Sequence, residues 1–372
     1  MKRIGIDYTS AVRQGAGIGR YTRHLIGALA ELDHENRYVL FSAGRDRSDG
    51  SWPSNFTRRE LPLTDRHLAI IWQRLKLPAP VEWITGRLDL FHSPDFTLPP
   101  VRRAATALTV HDLSFMRYPE CSSPALWEYL MDAVPRSAAR ADIILADSEC
   151  TRRDIVELLR IPEDRVYVIY AGVEPRFTPN LDEAAERAAL SRYGLRKPFI
   201  LGLGTLQPRK NFARLIRAYH LARQRHHLDH QLVIGGGPGW LYEDIYDTIH
   251  ALALENEVRL IGFVDDADLP ALYRAAAVFA FPSLYEGFGI PVLEAMGCGA
   301  PVVASATSSL PEVAGDAALM VDPFDIEALA EALGRLINDA ALRDDLRHKG
   351  FQRAERFTWQ RSARELLTIY QL

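Results

Sequence analysis

The feature that most constrains this chain is an alternation of short apolar runs with amphipathic stretches that breaks once and then begins again. Residues 3–7 (Arg3-Ile4-Gly5-Ile6-Asp7) have the pattern of a short buried strand. A glycine-rich turn follows (Gly15, Gly17, Gly19), then apolar residues at Tyr21, Leu25, Ala28, Leu29 and Leu32, which is helical spacing. Strand-like runs recur at 38–42, 88–92, 107–111, 143–147 and 166–170, with helical patterns near 125–140 and 150–159. Pro175, Pro179 and Asn180 then open a charged, alanine-rich stretch, which makes 172–198 a connection carrying a short helix. The pattern restarts with strands at 199–204, 231–235, 258–261, 278–281 and 301–304, separated by helices at 211–225, 242–254, 269–276 and 291–296. Strands alternating with helices give parallel sheets covered on both faces. The expected fold class is therefore α/β, with two Rossmann-like doubly wound domains whose ligand loops sit at the carboxyl ends of the strands. A chain of 372 residues, 48% hydrophobic, can supply two such cores.

Charge and cysteine usage narrow the function classes. A net charge of −4 argues against a nucleic-acid footprint, so no nucleic-acid partner is expected. Cys121, Cys150 and Cys298 are odd in number, far apart and in no CxxC spacing, which fits a reducing, cytoplasmic compartment. Met1-Lys2-Arg3 could open a signal peptide, but Asp7 and Arg13 interrupt the apolar region one would need. No run approaches the ~18 apolar residues of a membrane helix. The stretch 68–77, with Trp72, Arg74 and Lys76, is amphipathic; it reads as a core-facing helix or, alternatively, as peripheral contact with the inner membrane surface.

The most informative segment is 282–297, Pro-Ser-Leu-Tyr-Glu-Gly-Phe-Gly-Ile-Pro-Val-Leu-Glu-Ala-Met-Gly. It follows the strand at 278–281 directly. Gly287 and Gly289 permit a tight, bare turn, and Pro291 suits the first turn of a helix. Such a helix start offers free N–H groups and a positive dipole end to an anion. Glu286 in the loop and Glu294 on the helix could bind sugar and ribose hydroxyls; a capped helix with two solvated glutamates explains the same residues.

The paired glutamates of Glu286-Gly-Phe-Gly-Ile-Pro-Val-Leu-Glu294 resemble the motif of the family-4 retaining glycosyltransferases. Gly202-Leu203-Gly204-Thr205-Leu206-Gln207-Pro208-Arg209-Lys210-Asn211 is similar to that family's Arg-Lys-Asn donor motif, and Ser308-Ser309-Leu310-Pro311-Glu312-Val313-Ala314-Gly315-Asp316 matches in order. The resemblance covers nearly the whole chain and looks closest to bacterial mannosyltransferases of polysaccharide assembly. It implies the GT-B arrangement, with an acceptor-side domain over 1–178 joined by a final helix over 358–372, a donor domain over 195–357, and a cleft between them. Glu294 should then bind the donor ribose and Glu286 the transferred sugar. The backbone at Phe288, Gly289 and Ile290 should approach sugar and diphosphate, with Arg209 and Lys210 on the diphosphate, where cations stabilise a leaving phosphate. Some relatives carry arginine where this chain has Thr205, which leaves fewer cations there. His111, in Val110-His111-Asp112, corresponds to a family histidine that contacts the sugar. Gly17-Ile18-Gly19-Arg20 resembles the family's loop near donor phosphate and acceptor.

Three further motifs need weighing. Gly15-x-Gly17 continues to Arg20 where a dinucleotide fingerprint needs its third glycine, and it starts several residues after the strand. Asp266-Ala267-Asp268 precedes a helix and reads as a cap rather than a metal pair. The glycines at 235–239 form a packing turn or a ligand contact. The expected activity is transfer of a hexose, mannose from GDP-mannose in the first instance, onto a saccharide or lipid-linked acceptor. The donor is a co-substrate, and neither a metal nor another cofactor is expected. The alternatives are a UDP-sugar-dependent glucosyltransferase, a sugar-nucleotide epimerase, a phosphorylase with pyridoxal phosphate, and a non-catalytic sugar-nucleotide-binding protein.

Overall fold

The computed structural model describes residues 1–15, 17–45, 51–196 and 198–372. The chain divides into two compact units: Met1–Arg117, Pro124–Gly172 and Thr358–Leu372 form the first, and Tyr118–Ser123 with Val173–Phe357 form the second. Among the described residues, no helix is long and apolar enough to cross a membrane.

The first unit holds seven strands: β1 (Arg3–Asp7), β2 (Arg37–Ala43), β3 (Phe56–Leu61), β4 (Leu90–Ser93), β5 (Ala105–Val110), β6 (Ile143–Ala146) and β7 (Val166–Val168). Their order is β3-β2-β1-β4-β5-β6-β7, and all pairings are parallel. The chain winds from β1 toward β3, then returns to wind the other way from β4, so the order reverses between β1 and β4. Crevices at such reversals, beyond the carboxyl ends of the strands, are where open sheets take ligands. β3 was not expected from the sequence. It is an edge strand in which Arg58, Arg59 and Glu60 replace the apolar run, the charge pattern that protects a sheet edge.

The second unit holds β8 (Phe199–Leu203), β9 (Gln231–Gly235), β10 (Val258–Gly262), β11 (Val278–Phe281), β12 (Val302–Ser305) and β13 (Ala318–Val321), in the order β10-β9-β8-β11-β12-β13. Here the reversal falls between β8 and β11. β8 and β11 are buried along their whole length, as inner strands of a sheet covered on both faces must be. The edge strand β13, like the helices Ile326–Asn338 and Ala340–Ala354, is additional to the elements read from sequence. Helix Glu183–Arg192, read as part of the connection, packs in this unit, with Glu186 on Arg274 at 2.5 Å.

The last helix, Trp359–Tyr370, packs in the first unit against helix Ile18–Leu32. Trp359 stacks on His24 and meets Tyr21 edge-on. The Tyr370 hydroxyl bonds Nδ1 of the buried His92 at 2.7 Å. Only glycine fits at 172, because a Cβ there would lie 2.2 Å from the Trp359 amide nitrogen.

The stretch 68–77 is not the single amphipathic helix read from sequence. One α-turn, Asp65–Leu68, passes into a π-helical turn, Ala69–Arg74. The extra residue per turn still lets Leu68 and Trp72 reach the core, while Leu75 and Leu77 stay exposed.

Candidate functional site

The loops after β8 and β11 meet at the reversal of the second sheet. After β8 a 3-10 turn, Pro208–Lys210, ends at Asn211 in the left-handed region (φ 61°). The Asn211 amide Nδ2 donates to the carbonyls of Pro282 (2.9 Å) and Pro323 (2.8 Å), and the Leu284 N–H donates to the Arg209 carbonyl at 2.8 Å. These bonds fix the two loops edge to edge. Arg209 Nη1 then lies 2.9 Å from Glu286 Oε2 and Lys210 Nζ 2.6 Å from Glu286 Oε1. Lys210 Nζ also sits 4.9 Å from the centre of the Phe281 ring. Burial alone would raise the Glu286 pKa, but the two cations and the Lys210 hydrogen bond hold it down at about 2. The cluster is thus two half-buried cations on one ionised carboxylate, with a net positive charge that suits a diphosphate.

The loop leading into helix Ile290–Gly297 is held from below. The Glu286 N–H donates to the Ser308 hydroxyl (3.0 Å), and the Ser309 hydroxyl donates to the carbonyls of Glu286 (2.9 Å) and Phe288 (2.7 Å). Gly289 precedes the helix at φ 108°, where a Cβ would lie 2.6 Å from Leu310. Phe288 packs edge-on against Phe357. Ile290 is half-buried at the helix start, and Thr205 is exposed in the loop after β8. Glu294 lies further in, where its Oε2 accepts from the Tyr273 hydroxyl at 3.0 Å. Glu286 is 8% exposed and Glu294 1%, so the reading of two solvated glutamates does not hold. The serine clasp was within a recognised motif, but no sequence signal gave its role.

In the first unit, His111 and Asp147 stand one residue beyond β5 and β6, whose register pairs Val110 with Ala146. His111 Nδ1 lies 2.7 Å from Asp147 Oδ2 and Nε2 lies 3.1 Å from the Pro94 carbonyl. A carbonyl can only accept, so both ring nitrogens act as donors when Asp147 is ionised. Burial pulls the His111 pKa down, but the Asp147 charge and hydrogen bond outweigh it and raise it to about 9. Asp147 was missed from sequence, although the strand register places it. Gly17 begins helix Ile18–Leu32 at φ 57°, and Gly19 has no room for a side chain because a Cβ would lie 2.2 Å from the Gln14 carbonyl oxygen.

The reading of Asp266–Asp268 changes, and the packing alternative at 235–239 gains support. Asp268 stands at the start of helix Leu269–Ala275 but makes no capping bond; its carboxylate pairs with Arg192 and accepts from the Tyr193 hydroxyl at 2.9 Å. The glycines at 235–239 belong to a packing turn. A Cβ on Gly236 would lie 1.8 Å from the Gly204 carbonyl oxygen, and Leu206 N–H donates to the Gly237 carbonyl. This turn packs against the loop after β8.

Comparison with known proteins identifies the family. The family description "Glycosyl transferases group 1" matches residues 187–353, and "Glycosyltransferase Family 4" matches residues 15–177. The chain is 33% identical over 369 residues to the O-antigen chain mannosyltransferase B of Escherichia coli, covering 96% of each. It is 32% identical over 304 residues to a D-inositol 3-phosphate glycosyltransferase of Salinispora tropica, covering 77% of this chain and 62% of that one. The structure of Anabaena HepE in complex with UDP-glucose superposes over 100% of both chains with a TM-score of 0.74 at 19% identity, which speaks to the fold alone. Two Rossmann-like sheets, a cation–carboxylate cluster at the reversal of the second, and a relative matched end to end place this chain in glycosyltransferase family 4, as an enzyme of the GT-B fold.

Proposed function

We propose that this enzyme transfers mannose from GDP-mannose onto a saccharide or lipid-linked saccharide acceptor, with retention of anomeric configuration. The observation that carries the reading is the cluster of Arg209, Lys210 and Glu286 beside the start of helix Ile290–Gly297. Its two cations and the helix N-terminus suit the donor diphosphate, in the ground state and more so as charge builds on the leaving phosphate. Glu286 accepts hydroxyls of the transferred sugar, Glu294 those of the ribose, and the backbone of Phe288 and Gly289 approaches the sugar. The similarity to a mannosyltransferase over the full chain favours mannose. A UDP-sugar-dependent glucosyltransferase is the second reading, favoured by the UDP-glucose complex of a protein with the same fold. The diphosphate charge is met by protein groups, so the reaction needs no metal and no further cofactor. Contact with a membrane carrying a lipid-linked acceptor would fall to Leu75 and Leu77, exposed on either side of Lys76.

A nucleotide-release screen of GDP-, UDP- and ADP-sugars with the purified chain, with and without EDTA, tests this. GDP release from GDP-mannose that depends on a saccharide acceptor and survives EDTA is the expected outcome. Turnover of a UDP-sugar alone, or loss with EDTA, would overturn the donor or the metal-free reading respectively.

A further inference from the structure

His111 follows β5 directly and Asp147 follows β6 directly, on neighbouring inner strands of the first sheet. Register sets Val110 beside Ala146, so the ring and the carboxyl leave the sheet side by side. Asp147 Oδ2 meets Nδ1 at 2.7 Å on one side of the ring, and the Pro94 carbonyl meets Nε2 at 3.1 Å on the other. Tyr21 and Phe96 stand edge-on to the ring, with centroids 4.9 and 5.5 Å away, so it is walled in as well as bonded. His111, Asp147 and Tyr21 are all buried. Among the described residues, the Tyr21 hydroxyl and Asp147 Oδ1 have no hydrogen-bond partner. Burial and then the Asp147 charge raise the Tyr21 pKa well above the usual phenol value, so it stays a neutral hydroxyl. The other ionisable groups around the pair are the acids Asp95 and Asp112, and His92, whose pKa burial and the His111 charge bring down to about 3. Among these groups no second cation opposes a charge on the ring.

We propose that Asp147 is a positioning residue for the transfer reaction: it keeps His111 a doubly donating cation, so that His111 serves as a fixed positive charge and not as a proton acceptor. The proposal rests on the transferase reading above and deepens it, because it assigns the charge state in which this strand-end histidine works. With Asp147 ionised, a neutral ring would turn its lone pair toward a carboxylate or a carbonyl oxygen. Imidazole is the stronger base of the pair, which leaves the shared proton on the ring. A base must offer a lone pair, and a ring that donates from both nitrogens has none. The carboxyl ends of parallel strands are where open sheets take ligands. A cation already fixed there stabilises negative charge without reorganising.

The test is turnover against pH for the full chain and for Asp147→Asn, read as GDP release from GDP-mannose with methyl α-mannopyranoside, beside NMR titration of the His111 ring. The unaltered chain should hold its turnover through the ordinary imidazole range and lose it as pH rises through about 9. Asn has the shape of Asp and can donate to the Nδ1 lone pair, so the ring keeps its place but gives up its proton more readily. In Asp147→Asn the alkaline fall should move to lower pH together with the NMR titration, and turnover should return on the acid side. Each pH unit of that movement makes the variant about tenfold slower on the alkaline limb. A purely structural Asp147 would give a loss that no change of pH mends. Should the variant not fold, the unaltered chain still decides. A neutral ring at neutral pH, or turnover lost on the acid side as the ring gains its proton, would overturn the proposal. So would an Asp147→Asn profile that superimposes on the unaltered one, or that is lowered equally at every pH. No release from GDP-, UDP- or ADP-sugars by the unaltered chain would instead sink the transferase reading, and the NMR titration would still decide the charge of the ring.

Discussion

The two units place chemically opposite groups at the same topological position. At the reversal between β8 and β11 the second sheet sets Arg209 and Lys210 around one carboxylate. At the reversal between β1 and β4 the first sheet sets Asp7 and Asp95, whose carboxylates accept from the Thr9 and Phe96 N–H groups. The backbone plan is shared, and the side chains at the strand ends decide what each crevice attracts. A net positive crevice suits an anion, and a carboxylate-lined one does not. The difference teaches that one backbone plan supplies two crevices and that only the loop residues set their charge.

The largest expected effect lies on the cationic side. Lys210→Ala should lower turnover by ~10²–10³-fold, the range for removing one donor to a developing oxyanion, with an unchanged far-UV circular dichroism spectrum. Turnover within a few-fold of the unaltered enzyme would erase the contrast between the crevices. Glu286→Ala is expected to abolish transfer and also to destabilise the chain. It takes the carboxylate away from two largely buried cations, a loss of ~3–5 kcal/mol measurable by urea denaturation. Glu286→Gln refines this through pH. The folded pKa is depressed to about 2, so the stabilisation is present above the ordinary glutamate value and lost as pH falls toward 2. The stability gap between the two proteins should be flat near neutrality and close in strong acid.

On the acidic side the charge runs the other way. His111 has its pKa raised to about 9, so its contribution is full below the ordinary imidazole value and disappears as pH rises through about 9. Imidazole NMR should show the ring protonated at neutral pH, and Asp147→Asn should lower the titration from about 9, because burial is then opposed only by the Asp95 charge and the Pro94 carbonyl. A ring that titrates normally in the unaltered chain would refute the fixed imidazolium. The smallest effects concern the glycine turn. Gly19→Ala should cost ~1–3 kcal/mol by overpacking against two backbone carbonyls. Gly17→Ala has open space, and its ~1–2 kcal/mol penalty is backbone strain alone. Thermal melts that rank these two in the opposite order would show that the loop relaxes.

Much of the fold was legible because buried parallel strands are nearly continuous apolar runs. β9 and β11 fall where Gln231-Leu-Val-Ile-Gly235 and Val278-Phe-Ala-Phe281 predict them. Edge strand β3 was hidden by Arg58, Arg59 and Glu60, since an edge needs charge more than apolar continuity. In the candidate site, Arg209, Lys210 and Glu286 were legible as a motif, but their mutual pairing was not, because it depends on Asn211 fastening two loops about seventy residues apart. Asp7 and Asp95 carried no signal at all. Each is a single aspartate after an unremarkable strand, and only sheet order brings them to one cavity.

The pairing of Lys210 and Arg209 with Glu286 means that the proposed donor clamp carries its own counter-ion. On the proposed reading an arriving diphosphate shares the two cations with Glu286 and meets one net positive charge, in exchange for whatever solvent ion balances it. Such an exchange releases few ions from solution, so donor affinity should respond only weakly to ionic strength, unlike a site of solvent-facing lysines. On that reading recognition depends on geometry, on whether the diphosphate oxygens can reach the two cations beside the Glu286 carboxylate, more than on long-range attraction.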